Sequence, residues 1–264
     1  MKKIILAALL ATAFAAPVMA QTAAPAAPEA ATAPASPFTA NVSLATEYIY
    51  RGIAQTNRKP AIQGGFDYAH SSGLYAGVWA SNISWLSDIG PGISAPIEID
   101  VYGGFKNTFG GGDFNYDVGA LTYNYPGSYP SGFTKPNTTE VYGSLGWKWL
   151  SAKYSYVVSS HIFGFVGTDG ENTRGSDYLE LNANYDLGNG WGVLGHAGHQ
   201  KIKHFSDASY SDYKVGVTKD VGFGVVGLSY WDTNAKGDVG EPYRNAYNKE
   251  LGKGAVLLSF TKTF

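Results

Sequence analysis

Three histidines, His196, His199 and His204, lie close enough in the chain to raise the question of a metal centre. Metal-binding imidazoles must converge on one ion, at about 2 Å from it. An extended segment forbids this here. Successive side chains alternate faces, so His196 and His199 point to opposite sides, and His204 lies ~26 Å along the chain from His196. Loop and rim positions are the expectation for these histidines, and no metal ligand is assigned. Ser159, Ser160 and His161 set two hydroxyls beside an imidazole. A serine nucleophile needs a base that reaches the same proton, and adjacent strand residues diverge. No G-x-S-x-G, H-E-x-x-H, phosphate-binding loop or G-x-G-x-x-G occurs. The expectation is no catalytic residue, no cofactor and no enzyme.

A second set of residues is more informative. Along alternating segments one parity collects Glu47, Asp67, Glu98, Asp100, Asp117, Glu140, Glu180 and Asp212. The same parity holds Arg51, Lys106, Lys148, Lys153 and Lys214, with Tyr102 beside the Glu98–Asp100 pair. In a membrane barrel an Arg or Lys facing lipid costs ~2–4 kcal/mol at the midplane, so such side chains belong in the lumen. These are the candidate lumen-lining residues. They could form rings of charge that bias which ions pass, or they could pair off and fill the interior. Arg51, four residues after Glu47, would then be its same-face partner on one strand. The acid excess leads to an expectation of mild cation preference in a narrow conducting pore.

The segments that carry these residues number about twelve: 41–51, 61–70, 74–83, 97–106, 113–123, 140–149, 152–160, 177–185, 191–200, 212–219, 222–231 and 254–264. In each, apolar and polar residues alternate with period two, as on a strand with two unlike faces. In 97–106, for example, Ile97, Ile99, Val101 and Phe105 oppose Glu98, Asp100, Tyr102 and Lys106. The connections alternate as regularly, short after each even segment and long after each odd one. A soluble sandwich also has many short strands but no reason to segregate its connections so. Short turns at one end and long loops at the other are the habit of outer-membrane barrels. The expected fold class is all-β, a transmembrane antiparallel β-barrel of about twelve strands with both termini periplasmic.

Aromatic residues fit two membrane-boundary belts. Phe66, Tyr68, Phe105, Phe114, Tyr116, Trp147, Trp149, Tyr154, Tyr185, Trp191, Phe223 and Phe264 fall at turn-proximal strand ends. Tyr48, Tyr50, Tyr123, Tyr230 and Trp231 fall at loop-proximal ends. The last segment carries Val256, Leu258, Phe260 and Phe264 on one parity. Phe260 and the terminal Phe264 are expected to serve as the signal read by the barrel-insertion machinery. Lys262 shares their parity and is expected to snorkel to the interface.

Outside the barrel segments, residues 1–20 read as a signal peptide: Lys2 and Lys3, a short apolar stretch, then Val18-Met19-Ala20. Residues 21–38 form an Ala/Pro-rich linker without the means to bury a core, and the barrel spans 39–264. The chain has no cysteine, which excludes a disulfide framework and a lipid-anchored cysteine. No later run approaches 18 apolar residues, so a helical membrane protein is excluded. A net charge of −2 gives no basis for nucleic-acid binding. Thirty-four glycines and 19 tyrosines with a mean hydropathy of −0.13 suit close-packed strands, aromatic belts and a polar interior.

Residues 43–84, SLATEYIYRGIAQTNRKPAIQGGFDYAHSSGLYAGVWASNIS, carry a YxYRGIxQT segment and a PAxQGGFDYxHxSGxYxGxWxSN core. They resemble the TorF family of porins, also called the Gcw_chp family. The resemblance implies a barrel in the Gram-negative outer membrane, surrounded by lipid and passing small solutes, and brings no catalytic residue. The leading expectation is a porin-like channel for passive diffusion of small polar solutes. The alternatives are a structural or adhesive barrel with a blocked lumen, a substrate-specific uptake channel such as one for a vitamin, and an outer-membrane hydrolase. Association into a homo-oligomer is compatible with any of them.

Overall fold

The period-two segments become strands of one closed sheet. A computed structural model describes residues 36–264; the expected signal peptide (1–20) and nearly all of the expected linker (21–38) lie outside the described residues. The strands are β1 (Phe38–Ala45), β2 (Ile49–Tyr50), β3 (Ile53–Ala54), β4 (Ala61–Ala69), β5 (Leu74–Asn82), β6 (Ile97–Phe109) and β7 (Phe114–Asn124). They continue as β8 (Thr138–Trp147), β9 (Leu150–Val157), β10 (Asp177–Gly188), β11 (Trp191–Lys201), β12 (Tyr210–Asp220), β13 (Val225–Thr233) and β14 (Ala255–Thr263). β1 and β4 to β14 form a closed antiparallel barrel of twelve strands, each beside its neighbour in sequence. β1 seals it, pairing Ala45 with Ser259 on β14 and Ala45 with Ala61 on β4. Closure leaves no unpaired sheet edge.

Alternation divides the wall into two faces. On β6, Val101 is 53 % exposed while Asp100 and Tyr102 on either side are buried. Large apolar side chains cover the outside, among them Ile62, Leu145, Leu181, Val215 and Val256. So broad an exposed apolar surface is the kind that lipid, not water, covers. No helix among the described residues is long and apolar enough to cross a membrane.

Connections segregate by length. Short turns at one end join β4–β5, β6–β7, β8–β9, β10–β11 and β12–β13, and the other end carries the long segments 46–60, 83–96, 125–137, 158–176, 202–209 and 234–254. The β10–β11 turn is Asn189-Gly190 with φ of +54° and +75°, the left-handed pair that suits the twist of a two-residue hairpin.

Three expectations are corrected. The first segment, expected as one strand over 41–51, leaves the wall after Ala45, so Tyr48 and Tyr50 belong to no outer belt. Tyr123 and Trp231 also turn inward and are buried, while Tyr230 faces out; two adjacent strand residues such as Tyr230 and Trp231 cannot share a face. Lys148 is an exposed turn residue with φ +54°, its ammonium over the Trp147 ring. It does not face the interior.

Candidate functional site

The first long segment does not extend away from the barrel. It folds into it. After Ala45 the chain turns inward and forms a small hairpin in which Tyr50 pairs with Ile53 and Ile49 with Ala54. Arg51 (φ +46°) and Gly52 (φ +78°) make the reversal, again with two left-handed residues. Gly52 serves a second need: a Cβ there would come within 2.7 Å of the Asp212 Cβ. The hairpin base closes on itself, the Gln55 N–H donating to the Tyr48 carbonyl at 2.7 Å and the Tyr48 N–H to the Thr56 hydroxyl at 3.0 Å. Tyr48, Ile49, Tyr50 and Arg51 are consecutive and all buried, between wall side chains such as Tyr123 and loop residues such as Phe163.

Side chains latch this hairpin to the wall. The Tyr48 hydroxyl donates to Glu98 Oε1 at 2.9 Å. The Tyr50 and Tyr123 hydroxyls share a bond of 2.5 Å, and Tyr123 in turn donates to Glu140 at 3.2 Å. Arg51 grips Glu140 with both guanidinium nitrogens, at 3.0 and 2.8 Å, and donates to Gln200 Oε1 at 2.7 Å. Its guanidinium lies 4.1 Å from the Tyr178 ring centroid. A two-pronged Arg–carboxylate bond fixes direction as well as distance. Burial pushes the Tyr48 and Tyr50 hydroxyls well above their usual range, so both act as neutral donors. The expected Glu47–Arg51 pair does not form. Glu47 meets Arg58 at 3.4 Å instead; burial pushes its carboxyl up, and the Arg58 charge opposes that.

The loop-side half of the interior holds a second network beside the hairpin. His196 Nε2 lies 2.9 Å from Asp212 Oδ1 and 3.0 Å from the Tyr178 hydroxyl, which itself donates to Asp212 Oδ2 at 2.9 Å. The other ring nitrogen meets Asn182 Oδ1 at 2.7 Å, with Glu180 3.6 Å away. Gly198 makes room for this cluster, since a Cβ there would stand 2.5 Å from Tyr178 Cζ. The Lys214 ammonium sits 4.7 Å from the Trp231 ring centroid. His196 is thus a buried interior residue, not a rim one. His199 is exposed and meets the Ser211 hydroxyl, and His204 meets the Asn172 carbonyl. Among the described residues no group of His, Cys, Asp or Glu could hold a metal ion. The Ser159 hydroxyl donates to the backbone carbonyl of His161, not to its ring.

Towards the turns the interior changes character. Tyr102 donates to Asp67 and Tyr75 to Asp117, both at 2.6 Å, while the Tyr75 and Tyr142 hydroxyls touch. Lys106 and Lys153 lay their ammonium groups over the Tyr75 and Tyr142 rings, at 5.1 and 4.2 Å. Between the two halves sits Asp100, fully buried, with neither carboxylate oxygen hydrogen-bonded to any described residue. Glu47, Arg51, Asp67, Glu98, Asp100, Tyr102, Lys106, Asp117, Glu140, Lys153 and Glu180 are therefore gathered inside the barrel. Tyr48, Tyr50, Tyr123, Tyr178, His196 and Gln200 join them; of these Tyr123, on the parity of Asp117, and Tyr178, on the parity of Glu180, follow the pattern of charged residues along their own segments.

Above the hairpin the loops line a partly open cavity of about 410 Å³.

A closed antiparallel barrel with an apolar outside, a polar and charged inside and an inward-folded loop defines a membrane-type β-barrel. The chain belongs to the Gcw_chp family: the family model, described as a bacterial protein of unknown function, matches residues 29–264. No curated protein matches the chain. Among solved structures it is similar to the KdgM porin, with a TM-score of 0.53 and 8 % identity over 86 % of this chain and 99 % of that one. A second KdgM structure, described as in complex with disordered oligogalacturonate, gives 0.51 and 8 % over the same shares. The NanC porin gives 0.53 and 10 % identity over 85 % of this chain and 98 % of that one. At such identities the likeness is one of fold.

Proposed function

We propose that the protein is an outer-membrane, porin-like channel for small polar solutes and that the hairpin over residues 46–58 is its constriction. The observation that carries this reading is the wall that faces the hairpin. A barrel built only as a scaffold would be expected to fill its interior with apolar side chains, since burying charge is costly. Here the same space carries Glu98, Asp100, Glu140, Glu180 and Asp212. Pore linings are built from such groups. Both termini face the periplasm on this reading, with the long loops outside, lipid around the wall, and Phe260 on β14 and Phe264 just past its end available to the insertion machinery. The KdgM structure described with oligogalacturonate raises the question of a polyanionic solute. The acids in this interior oppose one and favour cations or neutral solutes, with a weak cation bias because Arg51, Lys106, Lys153 and Lys214 offset part of the charge.

Planar-bilayer recording of the purified protein in a salt gradient tests this. A reversal potential on the cation side is expected, moved toward anions by Glu98→Gln with Asp100→Asn. An unchanged potential in the double variant removes these carboxylates from the conduction path. A barrel with a blocked lumen is the second reading, favoured by the near-complete burial of Tyr48, Tyr123 and Trp231; absence of any conductance would establish it over the first.

A further inference from the structure

The cavity at the loop end borders the charged interior beneath it through Tyr50 and Gln200, but most of its lining has a different chemistry. Its volume of about 410 Å³ falls in the range of roughly 300–1,000 Å³ typical of small-molecule sites. The hairpin forms part of its lining, through Ile53, Ala54 and Gln55, and the loops 83–96, 125–137, 158–176 and 234–254 supply most of the rest. Trp85, Phe133, Phe163 and Phe165 line it and are only half-buried. Each is held by another ring: Trp85 edge-on to Tyr125 at 5.5 Å, Phe133 stacked on Tyr129 at 5.5 Å, Phe163 edge-on to Tyr123 at 5.2 Å and Phe165 tilted against Tyr243 at 6.1 Å. Much of the cavity wall is therefore aromatic surface backed by other rings, a lining that favours a flat ring.

Two polar groups limit what that ring must carry. Arg244 lines the cavity and forms no ion pair among the described residues; its Nε is buried without a hydrogen-bond partner there. Its recorded bond is a long one of 3.4 Å to the Asn248 carbonyl. Trp85 Nε1 is likewise buried and unpartnered. Both are donors, and leaving buried donors unmatched is costly. The acid of the lining, Asp88, is already engaged by the Ser84 hydroxyl at 2.8 Å. A ligand that completes this site brings acceptors and negative charge.

From the half-buried rings and the unpaired Arg244 we infer that the loop-end cavity is a binding site for a small aromatic carboxylate, its ring among Trp85, Phe133 and Phe163 and its carboxylate on Arg244. This goes beyond the channel reading and does not depend on conduction.

The test uses the full folded protein in detergent micelles, with 2-naphthoate as probe and calorimetric titration as readout, empty micelles being subtracted. Saturable one-to-one binding is expected, at least tenfold weaker for 2-naphthamide, which lacks the charge, and for cyclohexanecarboxylate, which lacks the flat ring. Arg244→Gln should weaken 2-naphthoate at least tenfold and leave 2-naphthamide unchanged, whereas Phe133→Ala should weaken both. The comparison of the three probes on the unaltered protein needs no variant to fold. Uptake of 2-naphthoate no greater than by empty micelles, equal binding of acid and amide, or unchanged binding in Arg244→Gln would each overturn the inference. Binding without conductance would leave this site standing and remove the channel, and conductance without binding would do the reverse.

Discussion

The wall and the hairpin inside it obey different rules. On the wall a residue's side is decided by backbone pairing: once Ala45 lies opposite Ser259, every neighbour's face follows from the pleat. In the hairpin four consecutive residues, Tyr48 to Arg51, are all buried, and only a two-rung ladder holds them as a sheet. What positions the hairpin against the wall is a set of side-chain bonds, Tyr48 to Glu98, Tyr50 to Tyr123 and Arg51 to Glu140. A ladder of many backbone bonds survives the loss of any one side chain. The hairpin has only a few backbone bonds beyond itself, from the Ala54 N–H to the Leu251 carbonyl and from the Ser84 and Trp85 N–H groups to the Gln55 carbonyl, all to loops, so single substitutions should move the hairpin long before they move the barrel.

The largest effect is expected where that contrast is sharpest. Arg51→Ala leaves Glu140 buried without its partner, a change of the kind that costs ~3–5 kcal/mol. It should speed hydrogen exchange at Tyr48 to Thr56 while β8 and β10 keep their protection. Loss of protection in the wall strands would show that hairpin and barrel are one cooperative unit. Arg51→Met with Glu140→Leu should recover most of the protection, because no charge is then left buried alone.

A wall substitution should do the opposite. Leu181→Arg places a charge on the lipid face, where Leu181 is exposed, and should cost the whole barrel ~2–4 kcal/mol in a bilayer. Denaturant titration of folded protein in lipid measures it; a cost near zero would mean that this face does not meet lipid. Tyr50→Phe removes the bond to Tyr123 and should loosen the hairpin by about 1 kcal/mol, again seen in exchange at residues 48–56. The smallest effect belongs to Lys148, outside the interior at the β8–β9 turn. If the barrel conducts, Lys148→Gln should leave its reversal potential unchanged, while Lys153→Gln, inside beside Tyr142, should shift it toward cations.

The same contrast explains what could be read from the chain. Strands such as β6, with Ile97 and Val101 out and Glu98, Asp100 and Tyr102 in, were legible because one face meets an apolar environment and the other a polar one. The short and long connections were legible from their lengths. Residues 46–58 were not, because parity has meaning only along a strand. Applied past Ala45, it put Tyr48 and Tyr50 on the membrane face and matched Arg51 with Glu47. The partners that hold Arg51, Glu140 and Gln200, lie 89 and 149 positions away, and only closure of the barrel brings them together. A local signal was present all the same: Arg51-Gly52 is a turn dipeptide, and the bulky run from Tyr48 to Tyr50 has no polar face. His196 and Gln200 went unmarked because residues 191–200 carry no Asp, Glu, Lys or Arg to show which parity faces inward.

The most direct test of the account is the single-channel conductance of the protein with residues 47–57 replaced by a short Gly-Ser bridge, set beside that of the full chain. A porin-type barrel narrowed by its inner hairpin predicts a conductance several-fold larger in the shortened protein, with a weaker ionic bias. Equal conductance in the two, or none in either, would contradict it.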